Sequence, residues 1–271
     1  MKLRIANKGW FIALTLSAVM VTSITTASAS IVFLKDGNST ASVDVDSPAG
    51  MFQWTVDGVN HLNQQWFWYR VGSGPQFPIN NISAASWTQN ALNTLNTTYA
   101  NSIFSVNINY TLTGGGTGSA DIDEGIRIHN FTTTPLTLSF CQYSDFNLLN
   151  TPLGDTVWMD ASQAFQWKAA TQVAEGIIAP NATAFEANST GGAGSTLFKL
   201  GSLNDLVLSG NNSAGPGDVT WAFQWNLTVP AEGDEVITKD KLLNIYVIPE
   251  PSAFAFVSLG FGALLLLRRR A

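Results

Sequence analysis

A single cysteine, Cys141, stands among 271 residues, so no internal disulfide can form and burial alone must hold the folded chain together. In Leu136-Thr137-Leu138-Ser139-Phe140-Cys141 the alternation puts it on the face of Thr137 and Ser139. It has no basic neighbour to lower its pKa, which points to a structural thiol covered by adjacent strands. Histidine is nearly as scarce. His129 falls on the polar side of a strand through Ile126 and Ile128, beside Arg127, and reads as solvated, whereas His61 reads as a loop residue. The motifs G-x-S-x-G, H-E-x-x-H and C-x-x-C and a phosphate loop are absent. No catalytic residue is therefore assigned, and the body is expected not to be an enzyme.

Charge is thin as well. Lys2, Arg4 and Lys8 lie at one end and Arg268, Arg269 and Arg270 at the other, so residues 30–248 keep 7 basic against 18 acidic residues, a net charge near −11. A sparse acidic surface repels phosphate backbones, which excludes nucleic acid as a partner. Polarity comes from Asn, Ser and Thr. Nine N-x-[S/T] triplets occur, and they read as neutral dressing on strands and loops rather than as glycosylation sites.

Amphipathic helices are missing too; only Trp87 to Tyr99 hints at one, and its Asn and Thr content undercuts it. Strands are what the body offers. Phe104, Val106, Ile108, Tyr110 and Leu112 alternate with Ser105, Asn107, Asn109 and Thr111, and Val219, Trp221, Phe223, Trp225, Leu227 and Val229 alternate with polar or small residues. This period of two gives each strand one wet and one dry face. Further strands are expected at 51–57, 65–71, 125–130, 135–142, 163–169, 196–200 and 243–248, with loops at 114–118, 191–194 and 209–217. The expected fold is all-β, an antiparallel β-sandwich close to a jelly roll.

Three triplets recur: Phe52-Gln53-Trp54, Phe165-Gln166-Trp167 and Phe223-Gln224-Trp225. Each sends two rings to one face of a strand and Gln to the other, and they read as core filling rather than a ligand-binding strip. Trp66-Phe67-Trp68-Tyr69 sends two rings to each side. Either the strand is covered on both sides, or Trp66, Trp68 and Tyr69 form a platform for a sugar. No cofactor is expected, Ca²⁺ being the one ion the acidic residues would suit. Asp121, Asp123 and Glu124, or Asp44 and Asp46, offer oxygens without the full loop pattern of a calcium site, and solvated turn carboxylates are the alternative.

The ends speak of location. Lys2, Arg4 and Lys8 precede the apolar run Trp10 to Val21, and Ala27-Ser28-Ala29 supplies small residues for cleavage after Ala29, the layout of a secretory signal peptide. At the other end, Pro249-Glu250-Pro251 is followed by an uncharged apolar run over 253–267 and by Arg268, Arg269 and Arg270. This order resembles the PEP-CTERM sorting tail of Gram-negative bacteria, a tail also known under an ice-binding protein C-terminal label. The resemblance covers under a tenth of the chain. It implies recognition by a membrane-embedded exosortase after export by the Sec machinery, a transient inner-membrane anchor, and delivery to the cell envelope, cell surface or exopolysaccharide matrix. The expected organisation is a signal helix over 1–29, one sandwich domain over 30–248, and a sorting tail over 249–271 with a single transmembrane helix at 253–267. The expected role is a non-enzymatic, structural or interaction role in the envelope or biofilm matrix. The alternative is a carbohydrate-binding module or carbohydrate-active enzyme that works through an aromatic strand. Ice binding would need a flat, regular Thr array, and none is present.

Overall fold

The computed structural model describes residues 30–202, 206 and 208–245. The expected signal sequence with Ala27 and Ala29, and the expected sorting tail with Pro249, Glu250, Pro251, the run 253–267 and Arg268 to Arg270, lie outside the described residues. Among the described residues no helix is long and apolar enough to cross a membrane.

The alternating segments become strands in two sheets of nine. The first sheet holds β1 (Ile31–Asp36), β2 (Ser39–Asp44), β3 (Gly50–Val56), β4 (Val59–Asn60), β5 (Leu62–Val71), β6 (Phe77–Pro78), β11 (Leu136–Phe146), β15 (Ala184–Asn188) and β17 (Thr220–Val229). The second holds β7 (Ser86–Thr88), β8 (Thr94–Ala100), β9 (Phe104–Gly114), β10 (Ser119–Asn130), β12 (Asp155–Met159), β13 (Gln163–Lys168), β14 (Thr171–Ala179), β16 (Ser213–Gly217) and β18 (Asp234–Ile245). The first runs β1-β2-β3-β5-β11-β17-β15, with β4 on β3 and β6 on β5; the second runs β16-β12-β13-β14-β18-β10-β9-β8-β7. Pairing is antiparallel except where β3 meets β5 in parallel around Gly50 and Gln65. There only glycine fits: Gly50 has φ +58°, and a Cβ would lie 2.2 Å from the Gln65 carbonyl oxygen.

The dry faces of the two sheets meet in one core. Phe140, Phe146, Trp221, Phe223 and Trp225 enter it from the first sheet, and Val106, Ile108, Ile122, Ile126 and Ile237 from the second. Phe146 and Trp221 stack with centroids 5.1 Å apart, and Phe67 stacks on Phe140 at 5.6 Å. The antiparallel β-sandwich expected from the alternation is present in this coarse form, with more strands than the eight of a jelly roll.

Two local expectations fail for identifiable reasons. Residues 196–200 are helical, in α1 (Thr196–Gly201), because Ser195 Oγ accepts from the Phe198 amide at 3.1 Å and caps the first turn. The stretch 209–217, expected as a loop, carries β16 (Ser213–Gly217), which pairs with β12, and Trp87 to Tyr99, whose helical hint its Asn and Thr content undercut, forms β7 and β8.

Candidate functional site

On β10 the even-numbered residues Ala120, Ile122, Ile126 and Ile128 are buried, so Asp121, Asp123, Gly125, Arg127 and His129 face outward. Strand β18 behaves likewise: Ile237, Lys239, Lys241 and Leu243 point inward, while Thr238, Asp240 and Leu242 point out. The ladder sets Asp240 opposite Asp123. One outward row therefore crosses four strands through Gln163, Gly176, Asp240 and Asp123.

The carboxylates of Asp121, Asp123 and Asp240 bring oxygens within 4.8 Å of one another. Burial, a hydrogen bond with Asp240 and the charges of Asp240 and Asp123 push the Asp121 carboxyl up to about 7, against a smaller opposing pull from Lys241. Burial and Asp240 also raise Asp123. Near neutral pH the cluster thus holds a proton that it can give up or take back, the property of a general acid or base. Oxygen ligands at this spacing also suit a hard divalent cation. On either side, Gly125 and Gly176 leave the sheet bare, since a Cβ on either would meet nothing within 4 Å. Glycine in a strand interior costs stability and marks a place where a ligand can approach the backbone.

Beside this trough lies an aromatic shelf. Trp158 on β12 is opposite Phe165 on β13, Phe165 and Trp167 point the same way with centroids 5.5 Å apart, and Trp158 and Trp167 are 40% and 37% exposed. With Gln163, Ala169 and Gln172 they line a shallow cavity of about 540 Å³. From Gln163 on the shelf to Asp240 is two strand spacings, about 10 Å. Shelf and carboxyls therefore share one continuous face.

The triplets divide accordingly. Phe223 and Trp225 fill the core as expected, and Trp54 is buried beside Phe146. Phe165-Gln166-Trp167 is reversed: Gln166 is fully buried and donates to the Phe146 carbonyl at 2.8 Å, which turns both rings outward. Trp66 and Trp68 do not form a sugar platform. Both are buried, Trp66 against Tyr99 and Trp68 against Tyr143, and half-buried Tyr69 packs on Phe77 and Phe104. Strand β5 lies inside its sheet and is covered on both faces.

Among the acidic residues, Asp121 and Asp123 come together, but Glu124 turns inward to contact Lys239 and Lys241. Asp44 and Asp46 organise turns: Asp44 accepts from the Asp46 amide and Ser47 Oγ, and Asp46 accepts from the Ala85 amide. His129 is a partly exposed strand residue whose Nδ1 lies 2.8 Å from Asp234, which also takes Arg127 at 2.7 Å. His61 is fully buried rather than in an open loop. Its Nδ1 accepts from the Leu149 amide at 3.2 Å, and burial lowers its pKa to about 4. Cys141 is buried as expected, its thiol pushed up to about 12 by burial.

No protein-family model matches the sequence, and no curated protein matches it. Solved structures resemble the fold. A bacterial glucoamylase in complex with acarbose superposes with TM-score 0.59 at 7% identity over 87% of this chain, which spans only 36% of the glucoamylase chain. A putative aldose 1-epimerase from Escherichia coli K12 gives TM-score 0.52 at 10% identity, covering 82% of this chain and 100% of the epimerase. A galactose mutarotase related enzyme from Lactobacillus acidophilus gives 0.50 at 6%, covering 80% and 100%. These likenesses correct the expectation of a non-enzymatic structural role for the body, whose architecture is shared with carbohydrate-active proteins.

Proposed function

We propose that the outer face of the second sheet binds a carbohydrate and acts on it by general acid–base catalysis. The observation that carries this is the meeting, on one sheet face, of an exposed aromatic shelf and a cluster of three carboxyls whose oxygens lie within 4.8 Å of one another. Rings such as Trp158 and Trp167 offer flat apolar area to the C–H face of a sugar, and Gln163 beside them offers an amide oxygen to its hydroxyls. Asp121 then protonates a ring or glycosidic oxygen while a neighbouring carboxylate accepts a proton, the two-carboxyl division of labour that sugar chemistry uses. The epimerase, mutarotase and glucoamylase names of the structural neighbours support the substrate class. The proposal places this face outside the cytoplasm, the address expected from the signal-peptide pattern.

The test is a panel of aldoses and oligosaccharides, followed by calorimetry for binding and by polarimetry and reducing-sugar release for turnover, with and without Ca²⁺. Trp167→Ala should weaken binding about tenfold or more, as loss of one stacking ring implies. Asp121→Asn should keep binding and lose turnover by about 10²-fold or more. Absence of both binding and turnover across the panel refutes the proposal.

A further inference from the structure

Four charged side chains lie fully inside the sandwich, away from the outer face: Glu124 on β10, Glu175 on β14, and Lys239 and Lys241 on β18. Their contacts are unequal. Glu124 takes Lys241 on Oε1 and Lys239 on Oε2, so both oxygens of one carboxyl face an amine. Lys239 also reaches Glu175 Oε1 at 3.2 Å, and its Nζ lies 5.4 Å from the centroid of the Phe67 ring. Glu175 is held in place: Gln142 Nε2 donates to its two oxygens at 2.7 and 3.0 Å, and Trp221 Nε1 donates at 3.3 Å. Lys239 is thus shared between Glu124, its opposite residue in the ladder, and Glu175, which has its own supporting donors, while Lys241, opposite Ile122, reaches across diagonally to Glu124.

We propose that Glu124 and Lys241 condense into an intramolecular isopeptide bond that staples β10 to β18. The reactants are an amine and a carboxyl already in contact, shut away from water, on neighbouring strands whose ladder holds Lys241 two residues beyond the position opposite Glu124, on the same inward face. Proton transfer within the pair converts ammonium and carboxylate into amine and carboxylic acid. The Lys241 Nζ lone pair then attacks Glu124 Cδ, the Nζ–Cδ bond forms, the Cδ–OH bond breaks, and the hydroxyl leaves as water with a proton from the nitrogen. No oxidant, metal or activated donor is required.

Lys239 is the positioning residue. Although burial works against its charge, Glu124 and Glu175 keep it protonated, and it sits on the carboxyl oxygen that gains charge when Cδ is attacked. Burial and the neighbouring Lys239 charge lower the pKa of Lys241 despite Glu124, which favours the free amine needed for attack. Glu124 itself is held low, its two lysines outweighing burial, so the ion pair is the main reactant state and condensation is slow. One turnover per molecule suffices, and the product exchanges a buried ion pair for a neutral amide while the Lys239–Glu175 pair persists.

Peptide mapping of the full, unmodified chain decides this. Trypsin acts after Arg70, Arg127 and Lys239, so a stapled chain yields peptide 71–127 joined to the peptide that begins at Asp240, one water lighter than the two parts. Cleavage after Lys241 is then lost. Recovery of linear 71–127 together with full cleavage after Lys241 overturns the proposal, and a branch through Lys239 overturns the assignment of roles. In variants, Lys241→Arg should abolish the branched peptide and Glu175→Gln should lower its yield at equal folded content. The map of the unmodified protein stands even if these variants fold poorly.

Discussion

Replacing Asp121 with Asn tests the carboxyl cluster without touching the shelf. The Asp121 carboxyl is lifted from 3.8 to about 7, first by burial, then by its hydrogen bond with Asp240 and the charges of Asp240 and Asp123. The folded chain holds this proton more tightly than the unfolded chain does. The stabilisation is therefore complete below about pH 4 and is lost as pH rises through about 7. Full burial would make the difference about 4 kcal/mol. Asp121 is only partly withdrawn from water, and solvent screening brings the figure to about 1–2 kcal/mol. An Asn amide stays neutral at every pH and can donate to Asp240 as the protonated acid does. Scanning fluorimetry from pH 4 to 9 should show parent and Asp121→Asn melting together near pH 4, separating progressively between pH 4 and 7, and staying apart by a constant amount above pH 7. At pH 8.5 the variant should be higher by about 2–8 °C, for a domain of this size. A variant that melts with or below the parent at pH 8.5 would refute the idea that the cluster stores like-charge repulsion.

Two further outcomes follow from burial. Trp225→Ala and Trp66→Ala should each cost about 3–5 kcal/mol in denaturant unfolding, because both rings are fully buried; a Trp66→Ala protein that keeps its stability but loses sugar binding would contradict the placement of β5. His61 titrates in the opposite sense to Asp121: its folded pKa of about 4 lies below the ordinary 6.5, so its contribution is present above 6.5 and lost as pH falls towards 4. His61→Asn should flatten the acid limb of the stability curve between those values, and an unchanged limb in urea titrations would exclude His61 as its source.

The sheets were legible where one face is wet and the other dry. Strand β9 follows its alternation almost residue for residue, whereas in β17 the expected rings point to the core but Ala222 and Gln224 on the other face are buried as well. The edges of the fold were not. Ile31–Asp36 lacks a clear alternation of polar and apolar residues, and the Ser195 cap that makes α1 a helix is one hydroxyl in a Gly- and Ser-rich stretch. Among the carboxyls, Asp121 and Asp123 were visible as neighbours in sequence, whereas Asp240 joins them only through the β10–β18 register, more than a hundred residues along the chain. No local pattern announces a partner of that kind.

The deeper obstacle was inversion of polarity, and it occurred at the two places on which the proposed function rests. On β18 hydrophobic patterning would turn Val236 and Leu242 to the core and Lys239 and Lys241 to water, yet the lysines are buried and Val236 and Leu242 are exposed. The inversion holds because Glu124 and Glu175 wait inside, and a buried charge is tolerated only with a partner in reach. It also fixes Asp240 on the outer face beside Asp123. On β13 the Gln166 amide finds the Phe146 carbonyl in the core, and Phe165 and Trp167 are left facing solvent as a shelf. Each inversion spends stability that an ordinary strand would keep, and the outward residues it delivers, a carboxyl and two aromatic rings, are the ones a sugar site needs. Violations of local patterning that converge on one face are where a functional or strained site is expected, and they fall on the face proposed to bind sugar.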